Sequence, residues 1–178
     1  MANLAPVFWM MGPTSAGKTT LANALATRIQ ETYSIPVVHW DGDQIRDLFG
    51  DQIDFSSESR GLVVRTLVTN AKTTSRSGVC TIVSALTAHQ EARELVKKTL
   101  ETLINVYVHC PIDICAERDP KGLYHRAKAG EIDTLIGFNT KYLAPANPDI
   151  TIDTSIANIE SCIDKCIGFI ESRDILRK

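Results

Sequence analysis

The chain has 178 residues, with 19 lysines and arginines against 21 aspartates and glutamates, so its formal net charge is −2. That length fits one domain with a substantial core, and the nearly balanced charge argues against a nucleic-acid partner. With 44% hydrophobic and 22% charged residues, the composition is that of a folded globular protein and excludes a disordered chain. The apolar runs are too short for a membrane span, and the start of the chain lacks the pattern of a secretory signal. We therefore expect a cytoplasmic protein with no membrane partner.

The five cysteines form an odd set without a CxxC pair, which predicts buried, reduced thiols rather than a disulfide framework. The four histidines are scattered and are not spaced as metal ligands. We therefore expect no structural metal site.

Short β-rich apolar runs alternate along the chain with longer segments of helical period, which is typical of a parallel sheet with crossover helices. The predicted strands are 6–11, 36–40, 79–84, 104–109 and 150–153. The predicted helices are 18–32, 44–49, 58–77, 88–103, 112–118 and 156–173. The sequence therefore predicts an α/β fold, and because it shows neither a repeat nor a linker, we expect residues 1–178 to form a single domain.

One segment, at about 119–148, departs from this alternation. Glycine, proline, lysine and arginine are mixed there with single apolar residues, and no period is clean. The segment is longer than an ordinary connection between elements. Because long segments of this kind often close over active sites, we predict a mobile lid.

The first predicted strand is followed directly by GPTSAGKT, from Gly12 to Thr19, and then by a predicted helix. This sequence fits the pattern GxxxxGK(S/T), in which glycines let the backbone wrap around phosphate and direct amide groups and a helix N-terminus at it. Lys18 is expected to meet the terminal phosphates of ATP, and the Thr19 hydroxyl to hold Mg²⁺. The predicted ATP-binding residues of this loop are Gly12, Pro13, Thr14, Ser15, Ala16, Gly17, Lys18, Thr19 and Thr20, although the last is equally suited to cap the helix.

The carboxylates that would complete a phosphoryl-transfer site follow the second predicted strand, in VVHWDGD. Asp41 and Asp43 stand at the carboxyl end of that strand, where ligands of open α/β sheets bind. Neither the third nor the fourth predicted strand ends in an acid, and no NKxD guanine signature is present. One aspartate can organise the Mg²⁺ shell, and we assign Asp41 to it together with Thr19, while the other accepts or orients an alcohol proton. Lys18, Asp41 and Asp43 are the predicted catalytic residues, and which aspartate acts as the base stays open.

Five motifs resemble, in chain order, those of the adenylylsulfate kinases, the P-loop kinases of sulfate activation. They are GPTSAGKTTLANAL, DGDQIRDLF, DFSSESR, ERDPKGLYHRAKAGEI and YLAPANPDITIDT. The fourth is the most specific, because generic α/β patterning does not explain such a mixture of charge and glycine. The resemblance implies a P-loop kinase-like three-layer fold, with a parallel five-stranded sheet flanked by helices and a lid. The implied reaction is transfer of the γ-phosphoryl group of ATP to the ribose 3′-hydroxyl of adenylylsulfate, giving 3′-phosphoadenylylsulfate and ADP.

The resemblance also implies which residues contact the two nucleotides. Arg118 would lie against the ATP base, Asp43 near the acceptor sugar, and Phe55 on the acceptor base. An arginine fork suits phosphate and sulfate oxygens, and an aromatic face holds a purine. The implied substrate-binding residues are Asp43, Arg46, Phe55, Arg60, Arg65, Thr87, Lys121, Gly122, Leu123 and Phe138.

Three departures from the family pattern all fall on the acceptor side. Val63 stands where the family usually has asparagine, so one polar contact is lost. The stretch Leu86-Thr87-Ala88-His89 replaces one in which serine precedes proline, and only the Thr87 hydroxyl remains. Leu135 replaces an aromatic residue over the acceptor base, which costs about 1–3 kcal/mol unless the nearby Phe138 supplies that face.

These departures leave three hypotheses. The first is an adenylylsulfate kinase. The second is a kinase of the same construction that acts on another activated nucleotide, such as a cytidine-diphosphate-linked phosphoramidate, whose smaller ring suits a pocket with one aromatic wall. The third is a nucleotide-binding regulator without turnover, against which the intact Lys18, Thr19, Asp41 and Asp43 argue. A homodimer is compatible with the apolar helix ends.

Overall fold

The computed structural model describes residues 4–176, so the ends of the predicted 1–178 domain, residues 1–3 and 177–178, lie outside the described residues. The strands are β1 (Val7–Met11), β2 (Val37–Asp41), β3 (Cys80–Ala85), β4 (Leu103–His109) and β5 (Ile150–Asp153). They form one parallel sheet in the order β2-β3-β1-β4-β5. The strand order therefore reverses at β1, and ligands of such sheets bind at the carboxyl ends of the strands beside that point.

Six helices and one short 3₁₀ turn (Gly50–Gln52) lie between the strands of the described region, and a seventh helix follows the last strand. The helices are α1 (Lys18–Tyr33), α2 (Gly42–Phe49), α3 (Ser57–Arg76), α4 (Gln90–Thr99), α5 (Ile112–Arg118), α6 (Leu123–Lys128) and α7 (Ile159–Ser172). None of the helices within residues 4–176 has the length and apolar character needed to cross a bilayer. The predicted α/β fold, with a parallel five-stranded sheet flanked by helices, is confirmed.

Both faces of the sheet are covered, because every residue of β1 is buried. Successive side chains of a strand point to opposite faces. Accordingly Phe8 and Met10 lie in one core with α1 and α7, while Val7 and Trp9 lie in a second core with α3. The result is three layers, helix, sheet and helix. All five cysteines are buried with free thiols, as the sequence predicts.

The structure differs from the sequence prediction at three places in the second half of the chain, one of which is the start of the last helix, at Ile159 rather than at 156. The predicted helix 88–103 is shorter at both ends, since α4 spans only Gln90–Thr99. The chain must leave the helix before β4, because Leu103 already pairs with Val7 in the sheet. The segment 119–148, which shows no period in the sequence, contains α6, whose six residues are too few to establish a helical period.

Candidate active site

Two glycines shape the P-loop, residues 12–17 between β1 and α1. A Cβ atom at Gly12 would lie only 2.3 Å from the Val108 carbonyl oxygen of β4, so the loop can pass this strand only without a side chain. Gly17 caps α1 with a φ of 88°, a left-handed conformation that glycine adopts without strain. The first backbone N–H groups of α1 have no partner within the helix, and they face the end of this loop. Such an arrangement of amide groups at a helix N-terminus suits an anion such as phosphate.

Lys18 begins α1 and folds back over the loop. Its Nζ donates a hydrogen bond of 2.7 Å to the Pro13 carbonyl. Burial lowers the pKa of Lys18 to about 8, against the opposing effect of nearby aspartates. The buried Ser15 Oγ has no hydrogen-bond partner within residues 4–176. A half-buried cation and an unpartnered hydroxyl therefore face the position that a polyphosphate would take.

Asp41, the last residue of β2, accepts four hydrogen bonds. Its Oδ2 accepts from Thr19 Oγ1 and Ser84 Oγ, both at 2.6 Å, and its Oδ1 accepts from the backbone N–H groups of Asp43 at 2.8 Å and Gln44 at 3.4 Å. Burial opposes ionisation, but the hydrogen bonds from Ser84 and Thr19 outweigh it and lower the pKa of Asp41. The carboxylate therefore stays ionised. Because Thr19 gives its proton to Asp41, the oxygen lone pairs of Thr19 remain available for a cation.

Asp43, in the first turn of α2, faces the predicted lid. Its Oδ2 lies 2.5 Å from Lys121 Nζ. Two further hydrogen bonds attach the segment 119–148 to the site: Tyr124 donates to the Thr14 carbonyl at 3.1 Å, and Arg60 of α3 donates to the Thr134 carbonyl at 2.6 Å. The segment thus contacts the P-loop, α2 and α3.

One cavity, with a volume of about 1200 Å³, runs from the P-loop to the segment 119–148. Most of the predicted site residues line it, namely Thr14, Ser15, Gly17, Lys18, Thr19, Thr20, Asp41, Asp43, Arg46, Phe55, Arg60, Thr87, Arg118, Lys121 and Leu123.

The other predicted residues lie apart from the cavity lining. Gly12, Pro13 and Ala16 are buried in the loop beneath it, and Gly122 forms the N-terminal cap of α6. Arg65 is exposed on α3, and Phe138 is 49% exposed. The structure does not bring these last two side chains to the cavity.

An aromatic ring and two aliphatic side chains predicted to lie near the acceptor are part of the cavity lining. The Arg46 guanidinium lies 5.0 Å from the centre of the Phe55 ring and donates to the Asp54 carbonyl at 2.6 Å. Val63 and Leu135, two of the residues that depart from the family pattern, also line the cavity. The lining therefore combines the Phe55 ring with an aliphatic wall made by Val63 and Leu135.

Thr87, in the loop between β3 and α4, also lines the cavity and is buried with a φ of 41°. Its Oγ1 accepts a hydrogen bond of 2.9 Å from Trp9 Nε1 of β1. The Thr87 hydroxyl, which remains from the altered family motif, is therefore hydrogen-bonded to a residue of the sheet.

At the P-loop end of the cavity, Thr154 connects Arg118 to this loop. Arg118 donates to the Thr154 hydroxyl at 3.1 Å and to its carbonyl at 2.6 Å, and Thr154 Oγ1 donates to the Ala16 carbonyl at 2.9 Å. Sequence reasoning missed Thr154, and it also missed Ser84. Both are polar residues at the carboxyl end of a strand, a position that by itself marks the ligand side of an open sheet.

Comparison with known proteins places this geometry in a family. The sequence profile of the adenylylsulphate kinases matches residues 5–153. The probable adenylyl-sulfate kinase of Archaeoglobus fulgidus is 41% identical over 148 residues, which cover 83% of this chain and 95% of that protein. The adenylyl-sulfate kinase of Chloroflexus aurantiacus is 36% identical over 172 residues, with coverages of 97% and 92%.

A solved structure agrees with the sequence comparisons. The Mycobacterium tuberculosis APS kinase in complex with AMPPNP and APS has a TM-score of 0.88 to this chain at 28% identity. The match covers 94% of this chain and 98% of that one. The chain therefore belongs to the adenylylsulphate kinase family, as its motifs predict.

Proposed function

We propose that the protein is an ATP-dependent adenylylsulfate kinase, which transfers the γ-phosphoryl group of ATP to the ribose 3′-hydroxyl of adenylylsulfate. The observation that carries the proposal is one cavity with the P-loop at one end and Asp43, Arg46 and Phe55 toward the other. Its volume of about 1200 Å³ exceeds the range of about 300–1,000 Å³ that is usual for a single small ligand. Two nucleotides placed end to end account for that size.

The donor end fits the triphosphate of ATP. The N-terminus of α1 attracts the phosphates, and Lys18 exchanges its hydrogen bond to Pro13 for the β- and γ-phosphate oxygens. The Thr19 oxygen and the ionised Asp41 carboxylate are hard ligands that suit Mg²⁺, so these two residues would hold the ion. When bound, Mg²⁺ neutralises charge on the transferring phosphoryl group.

The two aspartates have different environments, and this supports different roles for them. Asp41 is buried, and its oxygens already accept four hydrogen bonds, so it is poorly placed to take a substrate proton. The Asp43 side chain is 60% exposed, lines the cavity and has an ion pair with Lys121. We assign Asp43 as the group that orients the ribose hydroxyl and accepts its proton.

Lys121 and two arginines suit the anionic part of adenylylsulfate. Arg46 and Arg60 line the cavity beyond Asp43, and their planar guanidinium groups match phosphate and sulfate oxygens. Phe55 offers a face for the adenine. In this proposal the segment 119–148 acts as a lid that carries Lys121 over the acceptor and keeps water away from the reacting phosphoryl group.

The test is an acceptor panel with Mg-ATP, in which ADP release is measured against adenylylsulfate, AMP and a cytidine-diphosphate-linked phosphoramidate. We expect the highest kcat/KM with adenylylsulfate, because AMP lacks the sulfate that the arginines would bind. Preference for the cytidine compound would identify a different acceptor. No ADP release with any acceptor would indicate a nucleotide binder rather than a kinase.

A further inference from the structure

His39 lies next to the site, and the proposed reaction does not use it. It lies two residues before Asp41 on β2, so the two side chains are on the same face of the sheet. Its Nε2 is 2.9 Å from Ser84 Oγ, and its Nδ1 is 2.9 Å from Asn23 Oδ1. Ser84 in turn stands opposite Asp41 in the pairing of β2 with β3.

Counting protons fixes the direction of the hydrogen bond between His39 and Ser84. Ser84 has one hydroxyl proton, which it donates to Asp41 Oδ2. Its oxygen therefore accepts at the contact with His39, and the donor is the Nε2–H group of the imidazole. The Asn23 amide can present either its oxygen or its nitrogen to Nδ1, so it holds the ring whether the imidazole is neutral or charged.

These contacts form a chain of hydrogen bonds that begins and ends on α1. Thr19 and Asn23 are four residues apart on α1 and therefore neighbours on one helix face. Thr19 bonds to Asp41, Asp41 to Ser84, Ser84 to His39, and His39 to Asn23. The first two turns of α1 are thus attached to the sheet at two points, Thr19 and Asn23, and the Thr19 oxygen is the one proposed to hold Mg²⁺.

We propose that His39 is a positioning residue for the magnesium site. It keeps the Ser84 hydroxyl directed at Asp41, and the Asp41 carboxylate thereby stays oriented to accept the Thr19 proton. His39 does this without touching the nucleotide, since its side chain is not part of the cavity lining. The inference rests on the proposed Mg²⁺–nucleotide site but not on the identity of the acceptor.

The test separates the contribution of the metal from that of the nucleotide. The Kd of ADP is measured by calorimetry with Mg²⁺ and with a chelator, and the ratio of the two values is the gain in affinity from Mg²⁺. We expect His39→Leu to reduce this gain by about 10-fold, the lower end of the effect of removing a partner of a metal ligand. The Kd of metal-free ADP should not change. His39→Gln should restore the gain, because its side-chain N–H can donate to Ser84.

Two further variants provide a control for the substitution and a second test of the hydrogen bond to Asp41. His125→Leu makes the same substitution at an exposed position on α6 and should leave the gain at the wild-type value. Ser84→Ala removes the hydroxyl that His39 is proposed to direct at Asp41 and should reproduce the loss, which provides a second route if His39→Leu fails to fold.

An unchanged gain in folded His39→Leu would overturn the inference, as would an unchanged gain in Ser84→Ala if His39→Leu does not fold. Equal weakening of ADP binding with and without Mg²⁺ would also overturn it, since that is what a general structural role produces, and so would a failure of His39→Gln to restore the gain. Failure of the wild-type protein to bind ADP would instead refute the donor site itself.

Discussion

Replacing Gly12 with alanine tests whether the P-loop depends on its close approach to β4. The new Cβ would lie 2.3 Å from the Val108 carbonyl oxygen and 3.2 Å from its carbonyl carbon. Ordinary contacts of this kind begin near 3.4 Å, so the loop or the strand must move by about 1 Å. Neither partner is a flexible side chain that could turn aside. The shift therefore moves the P-loop relative to Lys18 and Thr19.

A misplacement of about 1 Å at a reacting centre costs roughly 100-fold in rate, which corresponds to about 2.7 kcal/mol. We expect Gly12→Ala to lower kcat/KM for Mg-ATP by about that factor. Crowding against the backbone should also cost about 1–3 kcal/mol in the free energy of unfolding. For a chain of this size that lowers Tm by about 2–12 °C. Steady-state kinetics and thermal unfolding measure both effects.

Gly168→Ala is the matched control. This glycine lies within α7, and a Cβ there would meet nothing within 4 Å. Alanine should raise the free energy of unfolding by about 0.5–1 kcal/mol and leave kcat/KM unchanged. If Gly12→Ala also kept wild-type kcat/KM and Tm, the close approach to Val108 would have no bearing on the site.

Four further predictions concern individual side chains. Burial holds the pKa of Lys18 at about 8, so at pH 9 its side chain is mostly neutral before ATP binds. The phosphates should raise this pKa, and ATP binding at pH 9 should therefore take up close to one proton. Calorimetry in buffers of different ionisation enthalpy measures the uptake, and Lys18→Met should abolish it. The lowered pKa of Asp41 contributes stability that is present above the ordinary value of 3.8 and lost as the pH falls through the folded-state value, so Asp41→Asn should flatten the acid limb of a Tm-against-pH curve. Lys121→Met should lower kcat/KM for adenylylsulfate while Tm hardly changes, because its exposed pair with Asp43 adds only about 0.2–1 kcal/mol; an equal effect on the Kd of ATP would contradict a role at the acceptor. Leu135→Phe should lower KM for adenylylsulfate by restoring a stacking face worth at most about 1–3 kcal/mol, and an unchanged KM would mean that the aliphatic wall already suits the base.

The donor end of the site could be predicted from the sequence because its residues are contiguous. The glycines in the pattern from Gly12 to Thr19 indicate the conformation of the loop. Gly12 permits the close passage of β4, and Gly17 takes a left-handed φ. Asp41 and Asp43 were predicted from their place after a strand. Their different roles could not be separated, because the difference lies in what surrounds them. Only the fold brings Ser84 to Asp41 and Lys121 to Asp43.

The acceptor end depends on contacts between distant parts of the chain, and the sequence is a weaker guide there. Leu135 and Val63 line the cavity because α3 and the segment 119–148 pack together, and Phe138 lies outside the lining although it is three residues from Leu135. The ends of α4 were misplaced for a similar reason. Local periodicity favours a longer helix, and pairing of Leu103 with β1 ends it sooner.

The most direct test of the proposed function follows the phosphoryl group itself. The protein is incubated with adenylylsulfate and ATP that carries ¹⁸O in the γ-phosphoryl group, and the products are identified by mass spectrometry and ³¹P NMR. We predict that the labelled phosphoryl group appears on the ribose 3′-oxygen in an amount equal to the ADP formed, and that Lys18→Met forms neither product. Label recovered only in inorganic phosphate, or on an acceptor other than adenylylsulfate, would contradict the proposal.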